Sequence, residues 1–96
     1  PCTRMDRSAA SRLAYGLAEL GDESDVWRLE LWARECPGVR RATLEAVGIL
    51  GGVPRMVALI REIESGPMSP EQARDYELLE ARVRGRIAQR RAQQTY

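Results

Sequence analysis

Glycine and proline divide this chain of 96 residues into five segments, each with the apolar spacing of an α-helix. The breaks fall at Gly21-Asp22, Pro37-Gly38, Gly51-Gly52 and Ser65-Gly66-Pro67. Between them, apolar residues recur every three or four positions, and no segment alternates apolar and polar residues as a half-buried strand does. The sequence therefore predicts an all-α fold.

The predicted helices span about residues 6–20, 24–35, 39–50, 54–64 and 70–93. Gly21 is placed to end the first helix, Asp22 or Ser24 to cap the second, and Pro54 suits the first turn of the fourth. Each helix carries one apolar stripe that we expect to face the core. The stripes are Ala10, Leu13, Ala14, Leu17 and Leu20; Val26, Leu29 and Ala33; Val39, Ala42, Ala46, Val47 and Leu50; Met56, Leu59, Ile60 and Ile63; and Tyr76, Leu79, Val83 and Ile87.

The fifth helix is the longest and the most polar of the five. Ser69 and Gln72, with Pro70 between them, have the pattern of a capping box at its start. Four acidic residues lie between Glu71 and Glu80, and five arginines lie between Arg82 and Arg91, an order that complements the helix dipole. Gly85 costs about 1 kcal/mol relative to alanine in mid-helix, so we expect a bend or a close contact there.

A shift of 30 residues superposes the first two predicted helices on the next two, because Leu20-Gly21 falls on Leu50-Gly51. The second unit, with Val39-Arg40-Arg41-Ala42 and then Ala46-Val47-Gly48-Ile49-Leu50-Gly51-Gly52, resembles the short bacterial HEAT-like repeat named after phycobilisome lyases. The first unit is a weaker copy, with Ala9 and Ala10 in place of the Val-Arg pair. The resemblance covers about residues 9–64. It implies a helical-repeat architecture and carries almost no information about chemistry. Arg40 matches the arginine that in this family often braces adjacent units through an acidic residue, which implies a structural role.

We therefore expect one helical domain over residues 1–96, built from two stacked helix hairpins and a long C-terminal capping helix. Repeat 1 would cover about 6–36, repeat 2 about 38–65 and the capping helix about 69–94. About three units are usually needed for a stable array. A C-terminal fragment of a longer repeat protein is therefore one interpretation of this chain.

The composition argues against several classes of active site. The chain has no histidine, which is the commonest general base and metal ligand, and no serine lies in a Gly-x-Ser-x-Gly motif. Asp22, Glu23 and Asp25 form a tight acidic cluster, but capping of the second helix explains it better than a cation site. Cys2 and Cys36 are too few for a four-ligand metal site. A disulfide between them is the alternative to the reduced state that we expect in a cytoplasmic protein. We expect no enzymatic activity, no metal and no cofactor.

Two further features bear on partners outside the chain. The 15 basic and 14 acidic residues give a net charge of +1, which provides no overall attraction to nucleic acid or to anionic membrane. No apolar run approaches the roughly 20 residues needed to cross a bilayer. We therefore expect no membrane partner.

Trp27 and Leu31 are four residues apart on the side of the second helix opposite its core stripe. One interpretation is that they pack against the fourth helix or a neighbouring repeat. The other is that they bind a protein partner, with Arg34 beside them, because tryptophan is enriched at binding hot spots. A non-enzymatic protein-interaction scaffold is the function that the sequence favours.

The arginine spacing of the last helix suggests an alternative function. Arg82, Arg86 and Arg90 are spaced by four, and no acidic residue follows Glu80. These arginines could contact phosphates in a small nucleic-acid-associated module, or they could lie at a solvated helix end. A third interpretation is a homo-oligomer in which the stripe Tyr76, Leu79, Val83 and Ile87 pairs between chains.

Overall fold

A computed structural model describes residues 7–94 of the chain, with side chains from residue 12 onward. It contains five α-helices: α1 (Arg7–Leu20), α2 (Val26–Glu35), α3 (Arg40–Gly51), α4 (Val53–Ile63) and α5 (Pro70–Gln94). Short 3₁₀ turns, Glu23–Asp25 and Pro37–Val39, precede α2 and α3. No strand occurs in residues 7–94, so the predicted all-α class and its five helices are confirmed for that part of the chain.

The helix ends follow from local chemistry. The carboxylate of Asp22 accepts a hydrogen bond from the Ser24 amide (2.9 Å), and that of Asp25 accepts one from the Asp22 amide (3.0 Å). A hydrogen bond from the Ser24 hydroxyl, together with the one from the Ser24 amide, holds the pKa of the Asp22 carboxylate below its usual value. Two of the acids in the Asp22–Asp25 cluster therefore cap the turn before α2, as predicted.

The capping box predicted at the start of α5 is confirmed. The Ser69 hydroxyl accepts a hydrogen bond from the Gln72 amide at 3.1 Å, and the Gln72 side chain accepts one from the Ser69 amide at 3.1 Å. Between α3 and α4, Gly52 has a φ of +100°. Glycine adopts this conformation without the steric cost that other residues carry.

Helix α3 is the centre of the fold. It contacts α1, α2, α4 and α5, and eight consecutive residues, 42–49, are buried. A helix buried on every side needs small or apolar residues all round, and this stretch supplies them except at Thr43 and Glu45. The Thr43 hydroxyl donates to the backbone carbonyl of Val39 or Arg40, at 3.0 and 2.9 Å.

Helices α1 and α2 each pack on α3 and make little contact with each other. Helix α5 packs on α3 through Leu79 and Val83, which are buried. The contact pattern is therefore that of four helices around a central one. The arrangement of residues 7–64 as two stacked hairpins stays a prediction.

Close packing of α3 against its neighbours depends on Gly48. A Cβ atom at Gly48 would lie 2.7 Å from a methyl group of Val83 and 2.9 Å from the sulfur of Met56. Gly48 therefore permits the close approach of α3 to Met56 of α4 and Val83 of α5. The close contact expected at Gly85 is wrong, because a Cβ atom there would meet nothing within 4 Å.

The core predicted for α1 is partly wrong. Ala14 and Ala18 are buried, whereas Leu13 is exposed and Leu20 is 91% exposed. Two alanines one turn apart let α1 approach α3 closely, and the predicted Leu17 is partly buried against the core. Ala10 lies outside the residues whose side chains are described.

The core residues predicted for α2, α3, α4 and α5 are largely confirmed. Most of their stripe residues are buried in the hydrophobic core. Four others are partly buried against this core: Leu50, Ile63, Tyr76 and Ile87. The radius of gyration is 13.2 Å, close to the ~13 Å of a packed domain of about 100 residues.

Candidate functional site

The outer face of α2 exposes two large apolar side chains. Trp27 is 58% exposed and Leu31 is 41% exposed, while Val26, Leu29 and Ala33 on the opposite face are buried. Both interpretations of this pair, packing against α4 or a neighbouring repeat and binding of a protein partner, stay predictions. We call Trp27 and Leu31, with Arg34 at their side, the α2 surface.

Two ion pairs fix the side of α2 that faces α4. Arg34 donates to both carboxylate oxygens of Glu62, one of them at 3.1 Å, and Arg55 donates to Glu30 at 2.8 and 3.3 Å. The bond to Glu62 raises the pKa of Arg34, and the bond from Arg34 lowers the pKa of Glu62. Arg34 therefore stands at the edge of the α2 surface with its guanidinium already oriented.

The C-terminal end of α2 is held by Arg40. Its side chain donates to the backbone carbonyls of Ala33 (2.8 Å) and Arg34 (3.3 Å). A cation there satisfies carbonyls that have no partner within the helix and complements the negative end of its dipole. The structural role that the resemblance implies for Arg40 is thus seen, but its partners are these carbonyls and not the expected acidic residue.

Arg28 lies beside the α2 surface and stacks on its aromatic ring. The guanidinium carbon is 5.3 Å from the centre of the Trp27 ring, within the distance of a cation–π contact. This contact favours one position of the Trp27 ring. The exposed indole is therefore held by a neighbour on its own helix.

The predicted arginine stripe of α5 does not present three free cations. Arg82 donates to the carboxylate of Glu45 in α3, Arg84 pairs with Glu80 at 2.8 Å, and Arg86 lies 3.6 Å from Glu19 in α1. Within residues 12–94, Arg90 forms no ion pair. The members of the stripe thus differ in how free they are to bind phosphate.

Glu45 is a buried charged residue that was not predicted as a candidate from the sequence. Its side chain is 2% exposed, and only one of its two carboxylate oxygens has a hydrogen-bond partner. The signal was present in the sequence, because Glu45 is the only charged residue between Arg41 and Arg55. The arginine opposite it lies on another helix, and the sequence alone does not show that contact.

The stripe proposed for pairing between chains is used within the chain. Leu79 and Val83 are fully buried, and Tyr76 and Ile87 pack against the same core. The Tyr76 hydroxyl donates to Glu64 at 2.9 Å, and burial together with that carboxylate raises the pKa of Tyr76. A homo-oligomer built on this stripe would require α5 to leave its own core, which makes that interpretation wrong for the folded chain.

Cys36 is buried and disulfide-bonded. The expectation that this thiol is reduced is therefore wrong. The other cysteine in the sequence, Cys2, lies outside the described residues.

The described residues contain neither a metal-binding cluster nor a membrane-spanning helix. No group of three or more acidic or cysteine side chains there is arranged to hold a metal ion. None of the helices in residues 7–94 combines the length and the apolar character that a membrane span requires.

No protein-family model, curated protein or solved structure matches this chain. The resemblance to the HEAT-like repeat therefore rests on the residues quoted for it, and the function has to be argued from the site.

Proposed function

We propose that this chain is a non-enzymatic, helical-repeat-like scaffold that binds a protein partner through the α2 surface. The observation that carries the proposal is the exposure of Trp27 and Leu31 on a helix whose other face is buried. Leaving a tryptophan and a leucine together in water forgoes the free energy that their burial would provide. A partner that covers them recovers that free energy.

The surroundings of the pair suit a protein interface. Tryptophan and arginine are the residues most enriched at the energetic centre of protein interfaces, and charged rims exclude water from such centres. Arg28 and Arg34 flank the pair on α2. Because the ion pair to Glu62 and the stacking of Arg28 order these side chains in the free protein, binding loses less side-chain entropy.

We propose an amphipathic helix as the partner element. Trp27 and Leu31 are one helical turn apart, and an apolar stripe of the same repeat on a second helix would pack against both. A helix of a further repeat unit would meet this requirement in the same way as a helix of another protein.

The nucleic-acid alternative has weaker support. Arg82 and Arg86 of the predicted stripe pair with acidic residues of other helices, and Arg55 pairs with Glu30. Arg40 is engaged with carbonyls of α2. These arginines are therefore engaged within the chain, which makes them less available to phosphates.

The proposal is tested by selecting a displayed library of amphipathic helical peptides on the folded protein. We expect binders that lose at least tenfold in affinity when Trp27 and Leu31 are both replaced by alanine, with the melting temperature little changed. The matched control is Leu78→Ala, which removes a leucine of α5 that is even more exposed than Leu31 and should leave binding unchanged.

Three results would overturn the proposal. Trp27→Ala could unfold the protein, which would make Trp27 a core residue. The selected peptides could bind the double variant as well as the parent. The library could also yield no binder that depends on Trp27.

A further inference from the structure

A cleft of about 490 Å³ opens between the C-terminal end of α1 and the last turns of α5. We call it the α1–α5 cleft. Its volume is in the range of roughly 300–1,000 Å³ that is typical of small-ligand sites. Its lining is Ala18, Glu19 and Leu20 of α1, Ile49 of α3, and Arg86, Gln89, Arg90 and Gln93 of α5.

The α5 wall of the cleft is a row of hydrogen-bond donors. Arg86, Gln89, Arg90 and Gln93 follow one another at spacings of three, one and three, which places them on one face of the helix. Arginine offers a planar pair of donors that matches a carboxylate, and the glutamine amides can both donate to and accept from a peptide backbone. The wall is therefore suited to an anion that also carries amide groups.

The cationic groups on this wall are not neutralised by strong contacts. Arg86 is 3.6 Å from Glu19, whose side chain is 67% exposed. That distance exceeds a hydrogen bond, and exposed pairs of this kind contribute little. Arg90 has no ion-pair partner within residues 12–94. A carboxylate from outside can thus displace Glu19 from Arg86 at small cost and pair with Arg90 as well.

The cleft also offers apolar contacts. Leu20 is almost fully exposed at its rim, and Ile49 lies in its lining. A second cleft of about 240 Å³ shares Ile49 and Arg90 with the first and adds Gly52, Ile87, Arg91 and Gln94. A ligand with carboxylates alternating with apolar groups would match both clefts.

We propose that the α1–α5 cleft binds an extended acidic peptide segment of a partner protein. Carboxylates of the segment pair with Arg86 and Arg90, its backbone meets Gln89 and Gln93, and an apolar side chain packs on Leu20 and Ile49. A nucleic acid fits less well, because no aromatic side chain among residues 12–94 lines either cleft for base stacking. This site involves α1 and α5, and it does not depend on the α2 surface.

The test is a titration of the full chain against a fluorescein-labelled peptide of alternating glutamate and leucine at low salt. We expect Arg90→Gln to weaken binding about tenfold, as for the loss of a charged hydrogen bond. Glu19→Gln should strengthen binding severalfold, because the internal competitor of the ligand carboxylate is removed.

Two control variants have the same change in net charge. Arg84→Gln matches Arg90→Gln, but Arg84 is paired with Glu80 and does not line the cleft. Glu77→Gln matches Glu19→Gln on an exposed residue of α5 outside the cleft. Both controls should bind the peptide with the parent affinity.

Several outcomes would overturn the proposal. Equal losses of peptide affinity for Arg84→Gln and Arg90→Gln would show that the net charge of the protein alone attracts the peptide. Equal binding of the matching glutamine–leucine peptide would show that carboxylates are not recognised. Tighter binding of a single-stranded oligonucleotide of the same charge, with the same dependence on Arg90, would assign the cleft to nucleic acid. Absence of peptide binding at millimolar concentration would show that there is no site.

Discussion

Glu45 is a charged residue in a position that α3 otherwise fills with small and apolar side chains. Its ion pair with Arg82 joins the centre of the fold to α5, and one carboxylate oxygen stays without a hydrogen bond. The two partners are unequal, because the side chain of Arg82 is 57% exposed while that of Glu45 is buried. Desolvation therefore falls almost entirely on the glutamate.

Because Glu45 is buried and Arg82 is exposed, we expect substitutions of the two residues to have unequal effects on the free energy of unfolding. Arg82→Met leaves the buried carboxylate uncompensated and should lower the free energy of unfolding by about 1–3 kcal/mol. Glu45→Met removes the buried charge and lets the arginine return to water, so we expect little loss or a gain in stability. Urea unfolding of both single variants and the double variant measures the coupling.

The double variant is the control for this prediction. If the buried carboxylate causes the loss, Glu45→Met should restore most of the stability that Arg82→Met removes. Equal losses in the two single variants, with no rescue in the double variant, would contradict the prediction. Such a result would make the ion pair an ordinary source of stability.

At the scale of the elements, two glycines within helices have opposite surroundings. Gly48 of α3 touches Val83 and Met56, whereas Gly85 of α5 faces open space. The lower helix propensity of glycine is the same in both places, so the difference lies in packing alone. The same substitution should therefore have opposite signs at the two positions.

We expect Gly85→Ala to raise the free energy of unfolding by up to about 1 kcal/mol. Gly48→Ala should lower it by about 1–3 kcal/mol, because the added methyl overpacks the α3–α5 contact. Thermal or urea unfolding measures both changes. In the Gly48→Ala background, Val83→Ala should cost less than in the parent, since it removes the methyl groups that clash. A destabilising Gly85→Ala would show that the glycine is required for the shape of α5.

The helix boundaries could be predicted because they depend on neighbours in the chain. Gly21, Gly52 and the Ser69 capping box act within a few residues of themselves, and each ends or begins a helix as expected. The contacts between helices could not be predicted in the same way. Leu13 and Leu20 fit a helical stripe as well as Ala14 does, and only the close approach of α1 to α3 decides between them.

The candidate sites also depend in part on local sequence patterns and in part on contacts between helices. The spacing of Trp27 and Leu31 identified the α2 surface but left its exposure open, since a fourth helix could have covered it. The stripe on α5 identified Arg86 and Arg90, yet Arg82 is diverted to Glu45 by a contact 37 positions away in the sequence. Local patterns thus located the side chains, and non-local contacts determined which of them are free to bind a partner.

At the scale of the whole molecule, the central position of α3 determines how the chain should unfold. In a repeat array each unit contacts only its neighbours, so parts of the array can open separately. Here α1, α2, α4 and α5 all pack on one helix. The loss of any one of these contacts exposes α3 and weakens the remaining three, which favours a single cooperative transition.

Native-state hydrogen exchange tests this cooperativity with a mild variant of α4. Ile60 is buried in the core, and Ile60→Val should cost about 1 kcal/mol, which corresponds to roughly fivefold faster exchange. We expect the exchange rates of the slowest amides of α1 and α2 to rise by the same factor as those of α4. The reason is that all of these amides exchange through the same global unfolding. Arg61→Gln, at an exposed position of α4, should leave exchange unchanged. Faster exchange confined to α4 would mean that the helices open one at a time, as units of a linear repeat do.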